Sequence, residues 1–472
     1  MMPPPEYSAS FFSGLTAIVG KQGLRAGAEI GVLDPGMHPD NLRATLMARP
    51  ANTAEVARVL ALCSRAGVGV VPQGGRTGLA GGACTQPGEL ILSLDRMNHI
   101  EGVDAPSRTA TVEAGVTLAR LEEALAPHAL AAGIDLGARG TATIGGMVAT
   151  NAGGIEAFRY GTMRDRVLGL EVALASGEVI TELSRIRKDN AGLPLRQLFI
   201  GSEGTLGVIT RVVLSLVPAS GPRYAALALL PNLDAAITLM RAVEAEPHIS
   251  LAAAEIMSGN HIVLTAQSLG ITQLTGMPAA AFGLLIAVTG ANGAAAASPL
   301  EAALARAAEA DLIVDCMLPK NAGEERDLWR MREDWAVDRK HPGGLWYDVS
   351  VPIDRLAQYL VDFESRLSRH DPNLSVYLVG HLADGNVHLT INAAAPITHR
   401  YAEIAPIVYA GLRELGGSFS AEHGIGLEKR ASLEPWAGDT SMRLMHSVKD
   451  LFDPEGVMNP GKVLNRDARA LA

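Results

Sequence analysis

The apolar positions of this chain come in short runs punctuated by glycine-rich turns, and the runs change character near residue 220. From Thr53 to Ala66 they recur at helical spacing, with Thr53 as the expected N-cap and Gly67 just past the end. Val68–Pro72 reads as a short buried strand that ends in the loop QGGRTGLAGGA. The runs LILSLD, TATVEAGV, LGLEVALASG and GVITRVVLSLV read as further strands alternating with short helices, and Pro218 and Pro222 mark a boundary. Residues 1–44 read as a helical lead-in.

Beyond the boundary the pattern is strand, helix, strand, helix. AALALL is a strand, Leu233–Glu246 a helix with Asp234 in its first turn, and GLLIAVTG a strand. The Ala-rich stretch 293–310 reads as a solvated amphipathic helix opened by Ser298-Pro299, and LIVDCML as another strand. The expected class is α+β, organised as a lead-in (1–44), a first domain (45–218) and a second domain (223–465).

Composition narrows the function classes. A chain of 472 residues with 48% apolar and 19% charged positions can bury more than one core and is not expected to be disordered. The net charge of −10, without a basic stripe carrying interleaved aromatics, argues against nucleic-acid binding. Cys63, Cys84 and Cys316 are far apart and form no CxxC, which disfavours a disulfide framework and a thiolate zinc site. No apolar run is long enough for a membrane span, and no secretory leader is apparent, so a cytoplasmic protein is expected.

The glycines carry the first chemical signal. Gly74, Gly75, Gly78, Gly81 and Gly82 follow a buried strand, where successive backbone N–H groups can hold a pyrophosphate. The spacing matches neither GxGxxG nor GxxxxGK[ST], which argues against a dinucleotide Rossmann site or a P-loop. Gly145-Gly146 and Gly153-Gly154 flank a stretch of mostly small residues that lets backbone lie against a flat ligand, and GSEGTLGVIT at 201–210 adds a third such segment.

PQGGRTGLAGG, IGGMVATNAGG with RYG, and GSEGTLGVIT, in that order, resemble the FAD-binding domain of the vanillyl-alcohol oxidase and p-cresol methylhydroxylase (PCMH) type. The resemblance covers roughly residues 45–218. It implies a FAD site built from Pro72, Gly74, Gly75, Arg76, Thr77, Gly78, Leu79 and Gly82 around the pyrophosphate. It adds Asp135, Leu136, Gly137, Thr141, Thr143, Ile144, Gly146, Ala149, Asn151, Gly153, Gly154 and Tyr160, and then Glu203, Gly207, Val208 and Ile209. Some members attach FAD through a histidine in the first loop; this chain has Arg76 there, so the FAD is expected to be non-covalent.

The second half carries VYLVGHLADGNVHLTIN. Asp384-Gly385 between apolar runs signals a two-residue hairpin turn, which pairs His381 directly with His388 on one face. Two imidazoles so placed can clip a divalent metal; a pair of exposed hairpin histidines is the plainer alternative. SFSAEHGIGLEKR adds Glu422 and His423, which point to opposite sides of an extended backbone. On that reading Glu422 completes a metal site and His423 faces a substrate, although an EH pair is also a common surface dipeptide.

GHLADGNVH, AEHGIG, WRMRED, DVSVP and FDPEGVMNPGKV together resemble the FAD-linked D-2-hydroxy-acid dehydrogenases, the branch that includes D-lactate and D-2-hydroxyglutarate dehydrogenases. The resemblance spans nearly the whole chain. It implies a C-terminal substrate domain with an antiparallel sheet and a terminal helical segment. It implies metal ligands His381, His388 and Glu422, His423 as general base, Arg332 on a substrate carboxylate, and Asn459 beside the flavin. Zn²⁺ is the preferred metal, with Mn²⁺ or Fe²⁺ compatible with the donor set. The implied reaction oxidises a D-2-hydroxy acid to the 2-oxo acid, with electrons passing on to an electron-transfer flavoprotein, a quinone or a cytochrome. A homodimer is compatible with the pattern, which leaves the assembly open.

Three positions depart from relatives that act on 2-hydroxyglutarate. Ala336 stands where they carry Thr, Trp346 where they carry Lys, and Thr390 where they carry Asn. Each change removes a group that could serve a distal carboxylate, which points to a substrate with an uncharged or aromatic distal end. The alternative is that Trp346 is core packing and Arg330 meets the distal carboxylate. Two further functions remain open: a flavin-carrying subunit of a glycolate-oxidase-like complex, and a non-redox flavoenzyme of the same fold, such as an alkylglycerone-phosphate synthase.

Overall fold

A computed structural model of the chain describes residues 6–275, 277, 279–290 and 296–465. It has two compact units: residues 1–154, 160–219 and 422–472 form one, and residues 155–159 and 220–421 the other. The last fifty or so residues therefore return to the first unit rather than continuing the second. What draws them back is apolar: Val457 and Met458 are buried in the core around Leu46, Val70 and Leu90, and Val448 and Phe452 pack on the core around Val112 and Phe199.

The first unit has two sheets. In the first, β1 (Leu24–Ala26), β2 (Leu46–Ala48), β3 (Val70–Gln73) and β4 (Leu90–Ser93) lie in the order β1-β2-β4-β3. β2, β3 and β4 are buried at nearly every position, as parallel strands covered on both faces must be. The second contains β5 (Ile100–Asp104), β6 (Thr109–Glu113), β8 (Val167–Ala173), β9 (Val179–Glu182) and β10 (Val208–Ser215), in the order β5-β6-β10-β8-β9. A short pair, β7 (Leu130–Ala131) and β11 (Val217–Pro218), forms a separate two-stranded sheet.

Two local expectations need correction. The lead-in is not purely helical: after the helix Ala9–Val19 it contributes β1 to the first sheet. The helix Thr53–Ala66 is capped by Asn52, whose Oδ1 accepts the N–H of Glu55 at 2.9 Å, so Thr53 is the first helical residue. Gly67 ends it in the left-handed conformation, φ 64°.

The second unit is one antiparallel sheet of seven strands with helices. Its strands are β12 (Arg223–Leu230), β13 (Ile249–Ser258), β14 (Phe282–Gly290), β15 (Asp315–Met317), β16 (Leu345–Ser350), β17 (Ser375–His381) and β18 (Asn386–Asn392). The order is β15-β12-β14-β13-β17-β18-β16. Only the middle of LIVDCML pairs, as the edge strand β15, and the Ala-rich helix runs Ala297–Glu309, residues 293–295 lying outside the described set. The architecture is the α+β class expected.

The hairpin register differs from the expected one by two. Four residues, Leu382–Gly385, connect the strands, with Gly385 left-handed at φ 73°. His381 therefore pairs with Asn386, and His388 with Val379. A slip of one residue would have sent the second histidine to the other face; a slip of two keeps it on the same one. Three cross-strand rungs result on that face: Glu255, His381, Asn386 and Ser350; Met257, Val379, His388 and Asp348; and Tyr377, Thr390 and Trp346.

Candidate functional site

In the first unit the glycine segments wall a cavity of about 330 Å³. The 72–82 loop, residues 136–154 and residues 203–209 line it, and so do Glu422 and His423. The glycines are there because backbones meet: a Cβ on Gly75 would lie 1.9 Å from the Thr141 carbonyl oxygen, and one on Gly154 2.0 Å from that of Asp135. At Gly78 and Gly137 a Cβ would meet nothing within 4 Å, so these residues leave open space.

The donor set fits FAD. Among the described residues, the backbone N–H groups of Gly75, Arg76, Thr77 and Gly78 make no hydrogen bond, which suits a loop that receives a pyrophosphate. Apolar walls come from Leu94, Leu136, Met147 and Val208, as a flat ring system requires. The buried side-chain oxygens of Gln73 and Asn459 likewise have no partner among the described residues.

Most of the residues assigned to FAD from the sequence line the cavity; six do not. Ile144 is fully buried in the apolar core. Asp135 pairs with Arg139 at 2.8 Å, and Thr141 presents its carbonyl to Gly75. Asn151 ends a helix at φ 52° and accepts from Thr162 and Arg164, and Tyr160 closes the short helix Ala157–Tyr160. Asn459 is 2% exposed and donates to the carbonyls of Gly82 (2.9 Å) and Glu203 (2.7 Å). Lys449 holds its segment in place by donating to Asp453, Thr205 and Met458.

The loop carrying Glu422 and His423 is not extended. It turns through Gly424 (φ 76°) and Gly426 (φ 52°), and both acid and histidine line the same cavity. Glu203 fixes it: the carboxylate accepts the N–H groups of Ile425 at 2.7 Å and Gly426 at 2.9 Å. Burial pushes the Glu203 carboxyl up, against the pull of those two N–H groups and of Lys429. Glu422 accepts the N–H of Gly154 at 3.2 Å.

In the second unit His381 and His388 meet edge to face with ring centroids 5.5 Å apart. Each is backed by a buried carboxylate. His381 Nδ1 lies 2.8 Å from Glu255 Oε1, and His388 Nδ1 lies 3.6 Å from Asp348 Oδ1. At His381 the carboxylate at 2.8 Å places the proton on Nδ1 and leaves Nε2 as the ligand atom, the arrangement usual for metal-binding histidines; Asp348, 3.6 Å from His388 Nδ1, adds negative charge there without a hydrogen bond to that nitrogen. Burial by itself would raise the Glu255 carboxyl, but His381 and Arg332 outweigh it and hold it below its ordinary range.

Arg332, near the end of the helix Ala322–Glu333, donates through Nε to Glu255 Oε2 at 2.7 Å. Its terminal nitrogens make no hydrogen bond among the described residues, so the flat end of the guanidinium can receive an anion. Trp346 is not core packing: it is 38% exposed, tilts against Trp335 at 5.3 Å and donates its indole N–H to Asp338 at 3.0 Å. Thr390 is buried beside it, and Ala336 starts the next short helix, also buried. Arg330 is turned to Asp327.

Sequence reasoning missed Glu255 and gave Asp348 no role. Glu255 sits in an Ala-rich strand without alternation, 126 residues before the histidine it serves.

Comparison with known proteins agrees with both units. Residues 44–182 match the FAD binding domain family, and residues 222–463 match the C-terminal domain of FAD linked oxidases. A probable mitochondrial D-2-hydroxyglutarate dehydrogenase of Oryza sativa subsp. japonica is 36% identical over 423 residues, 89% of this chain and 75% of the relative. The mitochondrial D-2-hydroxyglutarate dehydrogenase of Rattus norvegicus is 35% identical over 422 residues, covering 89% and 78%. A D-2-hydroxyglutarate dehydrogenase of Xanthomonas citri pv. viticola is 32% identical over 425 residues, covering 88% of each chain. Among solved structures, p-cresol methylhydroxylase superposes with TM-score 0.73 at 15% identity, covering 98% of this chain and 99% of that one. Alkyldihydroxyacetonephosphate synthase superposes with TM-score 0.70 at 17% identity, covering 98% and 87%. At these identities the two structures speak for the fold alone. The chain therefore belongs to the FAD-linked oxidases, as a FAD-dependent dehydrogenase similar to the D-2-hydroxyglutarate dehydrogenases.

Proposed function

We propose that this enzyme oxidises a D-2-hydroxy acid to the 2-oxo acid, with FAD held non-covalently and a divalent metal held by His381, His388 and Glu422. The observation that carries the reading is in the second unit: two histidines on one sheet face, each backed by a buried carboxylate, beside an arginine with its terminal nitrogens uncommitted. Bound FAD supplies the acceptor for the C2 hydrogen and two electrons. A bound metal supplies Lewis acidity that lowers the pKa of the substrate hydroxyl; Zn²⁺ is preferred for a donor set of two histidines and one glutamate. Arg332 receives the substrate carboxylate in a two-pronged contact and orients C2. His423 takes the hydroxyl proton on a ring nitrogen. Asn459 steadies the flavin edge of the cavity through its ties to Gly82 and Glu203.

The distal end of the substrate is where this enzyme is expected to part from the 2-hydroxyglutarate enzymes. Ala336, Trp346 and Thr390 offer no cation, and Trp346 is an exposed aromatic surface, which favours an uncharged or aromatic group. The reduced flavin passes its electrons to an external carrier such as an electron-transfer flavoprotein or a quinone. Two measurements test the reading. Metal analysis of the purified protein is expected to find close to one divalent ion per chain, and absence of any would remove the metal's role. Among D-2-hydroxyglutarate, D-lactate and D-mandelate, efficient turnover of the first over the other two would refute the distal-end assignment.

A further inference from the structure

We propose that Glu255 is a positioning residue that joins the substrate arginine to the metal histidine, so that one buried carboxylate orders both. The proposal rests on the roles given above to Arg332 and His381. Glu255 is 1% exposed at the centre of β13, with Leu285 as its neighbour on one side and His381 on the other. Its two oxygens are divided between two donors: Oε1 faces His381 Nδ1 at 2.8 Å, and Oε2 accepts Arg332 Nε at 2.7 Å. Each partner works with its opposite end. For His381 the ring nitrogen opposite Glu255 is Nε2, the atom its proposed metal role requires, and Arg332 has two terminal nitrogens beyond Nε. Moving or neutralising Glu255 therefore disturbs ligand and anchor together.

A carboxylate is needed for this because only it accepts on both oxygens. A glutamine in its place must turn its amide nitrogen toward one donor. If that donor is Arg332 Nε, the arginine is repelled. If it is His381 Nδ1, the imidazole must accept there and carry its proton on Nε2, where it cannot bind a metal. Burial of a carboxylate beside Met257, Val379 and Leu285 is unfavourable unless it is paired, so an apolar residue would serve the fold as well. Asp348 offers the comparison within the same unit. It backs His388 and accepts from Asn386 at 2.8 Å, and Arg332 pairs with Glu255 instead.

The test uses the full-length holoprotein and the variants Glu255→Gln, Glu255→Asp and Asp348→Asn. Zinc affinity is measured by chelator competition. KM and kcat are measured at saturating zinc with the best acid of the panel, and oxalate binding is followed by the change in flavin absorbance. Glu255→Gln is expected to weaken zinc by about 10–100-fold and, with zinc restored, still to raise KM and the oxalate dissociation constant by about tenfold or more. Asp348→Asn is expected to weaken zinc similarly, with KM and oxalate binding at saturating zinc within about twofold of wild type. Glu255→Asp keeps the charge but is one methylene short, and is expected to recover either zinc affinity or KM, not both. If Glu255→Gln does not fold, the aspartate variant carries the test. The proposal is overturned if Glu255→Gln changes zinc affinity alone, substrate affinity alone, or neither. Arg332→Lys with unchanged KM, or His381→Ala with unchanged zinc affinity, would instead overturn the roles on which it rests.

Discussion

Replacing Glu203 by alanine should release the loop carrying Glu422 and His423 from the glycine-rich wall of the flavin cavity. Glu203 stands in the left-handed region at φ 52° and accepts the N–H groups of Ile425 and Gly426. Its removal leaves two backbone donors short of an acceptor, at about 1–3 kcal/mol each, so about 2–6 kcal/mol before compensation. Compensation is real, because burial holds this carboxyl above its ordinary range and its ionised form is therefore costly in the folded unit. The sign follows from that direction. The stability Glu203 contributes is full below the ordinary carboxyl value and is lost as pH rises through the raised folded one. Wild type should therefore lose stability over that window, and Glu203→Ala should not. Catalysis should suffer more than stability, since a loop carrying Glu422 and His423 that shifts by about 1 Å can cost about 100-fold. The assay is kcat for the best acid, with FAD content and flavin absorbance measured on the same sample. The expected result is near-stoichiometric FAD with kcat down about 10–100-fold. A kcat within about twofold of wild type, with FAD bound, would show that the loop holds without Glu203 and refute the reasoning.

Two further outcomes are expected. His261 is buried with Nε2 3.1 Å from the Met331 carbonyl, and burial lowers its pKa to about 4. The unfolded chain takes up a proton near pH 6.5 and the folded one does not, so stability is lost as pH falls from there toward 4, by about 3 kcal/mol. His261→Gln should flatten that part of the stability profile; an unchanged slope in urea unfolding would contradict it. Trp346→Lys places a cation on the rung shared with Thr390 and Tyr377 and should raise the kcat/KM ratio of D-2-hydroxyglutarate to D-mandelate by about tenfold or more. An unchanged ratio would remove Trp346 from the distal site.

How much could be read from the sequence depended on how local the cause was. The flavin loops were legible because close backbone approach admits only glycine, and glycine is visible in the sequence: a Cβ on Gly75 or Gly154 would lie 1.9 or 2.0 Å from a carbonyl oxygen, well inside contact distance. The two histidines were legible as sharing one face, since their separation survives a register error of two, but their actual partners were not. The turn length escaped because Asp384-Gly385 suits both a two-residue turn and the last half of a four-residue one. Glu255 escaped for a different reason. Its meaning lies in partners 77 and 126 residues away, and β13 is buried on both faces, so it shows no alternation to mark it. The return of residues 422–465 to the first unit was equally silent, because burial of Val457 and Met458 depends on a core assembled from the other end of the chain.

The most direct test of the central claim is anaerobic reduction of the bound flavin by single enantiomers of 2-hydroxy acids, with product analysis. The account predicts that a D-2-hydroxy acid bleaches the flavin of the isolated chain and yields close to one 2-oxo acid per FAD, and that His423→Asn and Arg332→Ala slow this step while FAD stays bound. Bleaching by the L-enantiomers alone, or no bleaching by any acid tried with FAD and metal both bound, would contradict it.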